Sequence, residues 1–428
     1  MLMIGVRALS LLISVLYVPL LLRSFDMSDY GVFLTLTSIV GWFVLLDVGL
    51  STGLRNQLTV SVANNDFRSA KSMVSTAYVA IFFYTIIISI VFYIISQNVN
   101  WSRVLNVPPE RHTEMYNLAM IVFGAFCLNF YFGVINTIVS ALQVPFYTSV
   151  FSLIGQMVSF LIVYLLVNYF SVSSLLVVSS VVLYVPILVL FFSSIYLFNT
   201  KFKNLSPTFS DFNRSYVNQL MNVGLKFFAI QIVTLVVFQT NHFILLHTVG
   251  SEAVVQFSLG SRFFEVISVV FTIIVTPVWS ASRDAFVKGD YEWIKLTNRR
   301  LIYTSTVVAC IGLIMWLLSK WIFKVWLGVN NVDISFISLG LILCFIVLRN
   351  YYQCFGYIIN GTNLIKAQLL ITSVVAICYI PFTYIAGTKF GTNGVIFVLC
   401  VSQLINVAWS RYQLKKILTH QAKGIWNA

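Results

Sequence analysis

The chain has 428 residues, of which 59% are hydrophobic and only 9% are charged. A soluble globular domain carries about 25% charged residues, so this composition excludes a soluble enzyme and indicates a protein that lies almost entirely in a membrane. The formal net charge of +13 is explained by basic loops on one side of that membrane rather than by a nucleic-acid partner.

Twelve apolar runs are long enough to cross a bilayer, since about 20 helical residues span its hydrocarbon core. They predict an all-α integral membrane protein with about twelve transmembrane helices, and the segments between them leave no room for a soluble catalytic domain. The predicted spans are residues 3–22, 31–54, 73–96, 116–141, 147–168, 174–198, 224–247, 253–279, 300–319, 335–359, 368–387 and 393–412.

Lysine and arginine are distributed unequally among the loops between these spans. If both termini lie in the cytoplasm, the inner side carries 17 of them and the outer side carries 6, with three more inside spans. The positive-inside rule therefore predicts a multi-pass protein with both termini in the cytoplasm.

A polar segment interrupted by Pro207 separates the first six spans from the last six, and its composition is typical of a linker. The predicted organisation has four parts. They are an N-terminal six-helix lobe at 1–198, a cytoplasmic linker at 199–222, a C-terminal six-helix lobe at 223–413 and a cytoplasmic amphipathic tail at 414–428.

The two halves share short sequence matches at a common offset. Asp66-Phe67 aligns with Asp290-Tyr291 and Lys71 aligns with Lys295, each 224 positions apart (290 − 66 = 224). Six spans in each half predict two pseudo-symmetric lobes in the same orientation, as in one class of transporter repeats. A solute site is then expected between the halves, near the middle of the membrane.

The eighth span carries two charged residues, Arg262 and Glu265, within an apolar run. An ionised side chain at that depth costs about 3 kcal/mol or more. Because the two are three residues apart, they lie on one helix face and are expected to neutralise each other partly. This face is either a structural ion pair or the wall of a wet cavity through which a polar solute passes.

Arginines are the candidates for substrate binding, since a guanidinium stays charged and binds phosphate oxygens bidentately. Arg7, Arg262 and Arg349 all lie inside predicted spans, and Arg349 is too deep in its run to reach the membrane surface easily. Arg7 is also placed to extend to the cytoplasmic interface. Asn129 is a further candidate for the lining of the substrate path.

Two carboxylates are candidates for ion coupling. Asp47 lies in the second span without a basic residue one turn away, and Glu265 lies in the eighth span. A carboxylate in such surroundings can exchange protons with the solvent, although a structural role for Asp47 beside Gly49 and Gly53 is an equal alternative. The six cysteines lie in apolar runs without metal-ligand spacing, so neither a metal site nor a cofactor is expected.

Several stretches resemble a known family. They are Leu22–Gly31 after the first span, Leu46–Asn56 closing the second, the Phe257-x-x-x-x-Arg262-x-x-Glu265 pattern of the eighth, and Ile359–Thr362 after the tenth. Together they are similar to the Wzx-type polysaccharide flippases of the multidrug/oligosaccharidyl-lipid/polysaccharide exporter superfamily. The resemblance covers essentially the whole chain.

The resemblance implies a MATE-like pair of six-helix lobes in the bacterial inner membrane. It implies the translocation of undecaprenyl-diphosphate-linked oligosaccharide repeat units from the cytoplasmic to the outer leaflet during O-antigen biosynthesis, and therefore a transporter rather than an enzyme. Cationic residues lining the cavity would hold the diphosphate. The expected partners are the lipid-linked substrate and the bilayer, with a polysaccharide polymerase and a chain-length regulator in the same assembly process.

Two other classes stay open at this stage. A cation-coupled multidrug exporter of the same fold commonly has a carboxylate in its first span, whereas this first span contains Arg7 and no acid. A polytopic polysaccharide-modifying enzyme, such as a polymerase or an acyltransferase, would need a large outer loop or a nucleophile beside a base. Neither pattern is evident in the sequence.

Overall fold

The computed structural model describes the backbone of residues 2–41, 50–142, 144, 146–327, 334–362, 364 and 366–427. Within these ranges, the side chains of residues 2–4, 7, 8, 52, 56, 60, 63, 222–238 and 280 are not described. Asp47 and the side chain of Arg7 therefore lie outside the described residues. The described residues form helices and short turns and contain no strand.

Backbone contacts divide the chain into two compact units, Met1–Leu235 and Val236–Ala428. The helices of the first unit are α1 Leu2–Ser24, α2 Met27–Gly41, α3 Leu50–Ala63, α4 Phe67–Asn98, α5 Trp101–Val104, α6 His112–Phe132, α7 Val134–Ala141, α8 Phe146–Tyr169 and α9 Leu175–Asn199, with α10 Arg214–Thr248 crossing the boundary. The second unit continues with α11 Ser251–Val287, α12 Tyr291–Leu317, α13 Ser319–Leu327, α14 Phe336–Thr362 and α15 Lys366–Leu418.

Ten of the twelve predicted spans each fall on one of these helices to within two residues. The second and the fourth spans each run over two helices, and residues 42–49 of the second lie outside the described residues. Within the described residues, eight helices are long and apolar enough to cross a membrane by length and composition. The eleventh and twelfth spans both fall in α15, where Gly391 interrupts the helix with φ 60° and ψ −146°. A positive φ at this break is accessible to glycine without a Cβ clash. The all-α membrane fold expected from the sequence is confirmed.

The internal repeat is visible in the helix boundaries. α2 and α11 begin at Met27 and Ser251, again 224 positions apart (251 − 27 = 224). Asp66 caps α4 by accepting a hydrogen bond from the Ser69 amide, and Asp290 caps α12 in the same way through Trp293. These two caps have nearly identical backbone angles, φ −87° and ψ 74° against φ −82° and ψ 71°. Equal local structure at a constant offset supports a duplication of one ancestral half.

The segment predicted as a linker packs against the first unit. It forms two short 3-10 turns, Lys203–Leu205 and Phe209–Asp211, and Leu205 is buried. Asp211 forms an ion pair with Lys71 of α4 at 2.8 Å, and its carbonyl accepts a hydrogen bond from the Ser72 hydroxyl. α10 then begins at Arg214, within the predicted linker.

The C-terminal segment is also held by protein contacts. α15 continues to Leu418, and Leu414 and Ile417 are buried rather than forming a free apolar face. The chain then folds back, so that the Trp426 ring lies 5.1 Å from the Tyr412 ring, measured between centroids. The division into two six-helix lobes, a linker and a tail stays a prediction.

Close packing of α11 against α14 fixes the register of the central charged residues. A Cβ on Gly260 would lie 2.6 Å from the Ile342 side chain. At the other end of the contact, a Cβ on Gly361 would lie 2.7 Å from the Trp279 carbonyl oxygen. Only glycine allows such an approach of two helix backbones, and these contacts align the middle of α11 with the middle of α14.

Candidate substrate and coupling site

An ion pair joins α11 and α14 at the centre of the second unit. Nη2 of Arg349 lies 2.9 Å from Oε1 and 2.8 Å from Oε2 of Glu265. Arg349 is 13 residues from each end of α14 (349 − 336 and 362 − 349), so about 20 Å of helix separates it from either end. The pair is therefore near the midplane of the spanning segment.

The side chains of Arg349 and Glu265 differ in their solvent exposure. Arg349 is 18% exposed, whereas Glu265 is 44% exposed. An ionised carboxylate that faced hydrocarbon at this depth would cost several kcal/mol. The exposed side of Glu265 is consequently expected to face a polar space rather than lipid tails.

Arg349 retains hydrogen-bonding capacity beyond the ion pair. Its Nε is buried and has no hydrogen-bond partner among the described residues. Its guanidinium lies 5.7 Å from the Phe345 ring centroid, at a cation–π distance. Because Glu265 engages only Nη2, the remaining donors of Arg349 are the ones that can hold phosphate oxygens.

The predicted neutralisation of Glu265 by Arg262 is wrong. Glu265 pairs with Arg349 instead, and Arg262 forms no ion pair within the described part of the chain. Arg262 is instead near the preceding turn of α11. There Ser258 hydrogen bonds to His242 of α10 at 3.0 Å, and Arg262 is close enough to interact electrostatically with that ring.

Sequence reasoning missed a second polar contact between the same helices. The Ser268 hydroxyl donates a hydrogen bond to Oδ1 of Asn350 at 2.9 Å, and both side chains are buried. Nδ2 of Asn350 is buried and unpaired among the described residues. A signal was present in the sequence, since Asn350 directly follows Arg349 and a buried amide beside an intramembrane arginine is uncommon.

Three other predicted site residues belong to the first unit. Asn129 is an exposed residue of α6 in the first unit, and its carbonyl accepts the Gly133 amide at 2.7 Å. Asp47 and the side chain of Arg7 lie outside the described residues. Their roles stay predictions.

The chain is similar to known proteins in both sequence and fold. No protein-family model matches the chain. The chain is 21% identical over 386 residues to a candidate O-antigen transporter of Salmonella typhimurium, with 89% of this chain and 87% of that protein covered.

Solved structures agree on the fold. An inward-facing multidrug resistance MATE family transporter of the MOP superfamily superposes with a TM-score of 0.75 at 14% identity, over 97% of this chain and 96% of that one. The chain has a MATE-type fold. The lipid II flippase MurJ, in an inward closed conformation, shares this fold with a TM-score of 0.72 at 15% identity, over 98% of this chain and 89% of that one. The similarity to O-antigen transporters agrees with the resemblance noted in the sequence, and this MATE-type chain is a multi-pass membrane protein.

Proposed function

We propose that the protein flips undecaprenyl-diphosphate-linked oligosaccharide repeat units from the cytoplasmic to the outer leaflet of a bacterial inner membrane, for O-antigen or related surface polysaccharide. The observation that carries the proposal is the Arg349–Glu265 pair, a partly accessible cation at the middle of two spanning helices. The similarity to a candidate O-antigen transporter over 89% of the chain supports the choice of substrate.

Exchange of partners at Arg349 provides a transport step. A diphosphate entering the site offers oxygens that compete with Glu265 for the guanidinium, and a guanidinium holds phosphate through parallel hydrogen bonds. When Glu265 takes up a proton it loses its charge and its hold on Arg349, which is then available to the diphosphate. Loss of that proton restores the ion pair at 2.8 Å and displaces the diphosphate. Proton uptake and substrate binding are thus coupled at one arginine.

Other charged or polar residues complete the proposed path. Arg262 lies one turn before Glu265 on α11 and adds positive charge without an acidic partner in the described residues. Arg7 and Asn129 are proposed to contact the substrate from the first unit, and Asp47 is proposed as a second proton-coupling carboxylate. Three intramembrane arginines against two carboxylates favour an anionic solute.

A cation-coupled multidrug exporter is the alternative, because the same fold serves such a transporter. A mid-membrane arginine favours an anionic solute over a cationic one. α1 contains no Asp or Glu along Leu2–Ser24, although exporters of that kind commonly have a carboxylate there. The proteins to which the chain is similar are transporters and flippases, which also argues against a polysaccharide-modifying enzyme.

The cellular setting follows from this function. The excess of basic residues on one side supports cytoplasmic termini. A flippase of this kind delivers its product to the outer leaflet, so a polymerase and a chain-length regulator are the proposed partners there. Uphill transport would draw on an ion gradient or on the downstream use of the product, because the sequence shows no phosphate-binding loop for ATP.

The test is complementation of cells that lack their own O-antigen flippase. The parent chain should restore surface polysaccharide, while Arg349→Ala should lower it by roughly tenfold to a hundredfold, as expected from the loss of a charge-assisted contact of about 1.5–3 kcal/mol. Arg349→Lys should restore part of the activity, since the charge remains without the fork. The lipid-linked repeat unit should accumulate on the inner leaflet in the alanine variant.

Two controls separate this proposal from its alternatives. Arg103→Ala removes an arginine of α5, outside the predicted spans, and should leave polysaccharide at the parental level. Ethidium efflux from the same cells should not increase with the parent chain. Restored polysaccharide in the Arg349→Ala cells at matched expression would exclude the arginine clamp, and efflux without polysaccharide would favour the exporter.

A further inference from the structure

A cavity lies within the second unit, apart from the central ion pair. It has a volume of about 380 Å³ and is walled by α12, α14 and α15. Neither Glu265 nor Arg349 lines it. Cavities of this size hold small ligands in other proteins, and it exceeds what a single inorganic ion needs.

Positive charge faces this cavity from two sides. Lys295 of α12 lies on one wall, and Arg411 and Lys415 of α15 lie on another. Glu292 is the one acid among the described lining residues, and its carboxylate is 3.7 Å from Lys295 with both side chains largely exposed. The lining therefore has a surplus of two positive charges, and an anion between the walls would contact both.

Arg411 and Lys415 repel each other. They are one helical turn apart on α15, where like charges destabilise a helix, and no acid forms an ion pair with either of them in the described structure. A bound anion would remove this repulsion. The arrangement is thus better suited to an occupied cavity than to an empty one.

The remaining lining identifies the chemical class of the ligand. Ile302, Phe355 and Leu414 supply apolar surface beside the cations. Asn298 lines the same cavity, and its Oδ1 is buried and accepts no hydrogen bond from the described residues. A buried hydrogen-bond acceptor without a partner destabilises the folded protein. A ligand with a donor, such as a hydroxyl group, would satisfy it.

We infer that this cavity binds the head group of an anionic phospholipid, with its phosphodiester between Lys295 and Lys415 and a head-group hydroxyl on Asn298. The apolar residues take the first part of an acyl chain. Phosphatidylglycerol has all three features, and a free phosphate ion has only the charge. The site is independent of the proposed flipping reaction, because it uses neither residue of the central ion pair.

The experiment measures lipid binding to the purified full-length protein by native mass spectrometry. Phosphatidylglycerol should bind at least about tenfold more tightly than zwitterionic phosphatidylcholine, because charge-assisted contacts contribute about 1.5–3 kcal/mol each. The double variant Lys295→Ala, Lys415→Ala should lose that advantage, and Lys295→Arg, Lys415→Arg should keep it. The matched control Lys320→Ala, Lys324→Ala removes two exposed lysines of α13 and should bind like the parent.

Two further arms decide the ligand. Millimolar inorganic phosphate should not displace phosphatidylglycerol from the parent, and Asn298→Leu should weaken phosphatidylglycerol more than phosphatidic acid, which has no head-group hydroxyl beyond its phosphate. Unchanged phosphatidylglycerol affinity in the double alanine variant, with its unfolding midpoint equal to that of the parent, would overturn the inference. Full displacement by inorganic phosphate would overturn it as well, since the site would then recognise the ion alone.

Discussion

Removal of one partner from the Glu265–Arg349 pair should destabilise the protein by a measurable amount. Glu265→Gln keeps the side-chain size but leaves Arg349, which is 18% exposed, without its counter-ion. A fully buried pair costs about 3–5 kcal/mol to break, and an exposed pair contributes about 0–1 kcal/mol. Since Glu265 is 44% exposed, we expect a loss of about 1–2 kcal/mol, between these limits.

A double-mutant cycle isolates the pair from other effects of the substitutions. Glu265→Leu and Arg349→Leu should each destabilise the protein, and the double variant should lie close to the parent because no charge is stranded. The control cycle uses Asp284 and Lys288 at the C-terminal end of α11, a pair at 2.7 Å whose side chains are 65% and 68% exposed. Its coupling should be below about 0.5 kcal/mol.

The assay is reversible unfolding of the purified protein in mixed micelles, followed by tryptophan fluorescence. The central pair should show a coupling of about 1–2 kcal/mol, larger than that of the exposed control pair. Equal coupling in the two cycles would refute the reasoning, because the central pair would then behave as an ordinary surface contact.

Three further predictions concern packing and helix caps. Gly361→Ala should destabilise the protein by about 1–3 kcal/mol, because the new Cβ would lie 2.7 Å from a backbone carbonyl oxygen of α11. The control is Gly5→Ala, whose Cβ would meet nothing within 4 Å and which should change the stability by less than about 0.5 kcal/mol. Ser268→Ala should cost about 1–3 kcal/mol in the same unfolding assay, since it leaves the buried amide on α14 without its hydrogen bond at 2.9 Å. Asp66→Ala and Asp290→Ala should each lower the unfolding midpoint at neutral pH, because each removes the hydrogen bond that caps a helix. Hydrogen bonds from Ser69 lower the pKa of the Asp66 carboxyl below 3.8. The stability that Asp66 contributes is therefore present above pH 3.8 and is lost as the pH falls through the lowered pKa. If the stability difference between the parent and Asp66→Ala stays constant as the pH falls through that pKa, the prediction is contradicted.

Much of the architecture could be predicted from the sequence because it depends on local properties. Apolar runs specify spanning helices by length alone, and ten of the twelve predicted spans each fall on one helix to within two residues. The offset of 224 between Asp66 and Asp290 (290 − 66 = 224) also corresponds to real equivalence, since both residues cap helices through the same contact. The depth of Arg349 followed from its distance to the ends of its apolar run.

The partner of Glu265 could not be predicted in this way. The rule for residues three apart identifies neighbours on one helix, but it says nothing about a side chain 84 positions later (349 − 265 = 84). Arg349 reaches Glu265 because glycines allow α11 and α14 to pack closely, as at Gly361. Tertiary packing therefore selected a partner from another helix over the local one.

The most direct test of the central claim is flipping itself, measured in proteoliposomes with a fluorescent undecaprenyl-diphosphate oligosaccharide and a membrane-impermeant quencher. The parent chain should move the lipid to the opposite leaflet at a rate that depends on pH. Glu265→Gln should abolish that pH dependence, and Arg349→Ala should slow flipping by roughly tenfold or more, with both variants inserted at parental levels. Flipping by both variants at the parental rate across the pH series would contradict the claim that this ion pair binds the diphosphate and couples its movement to protons.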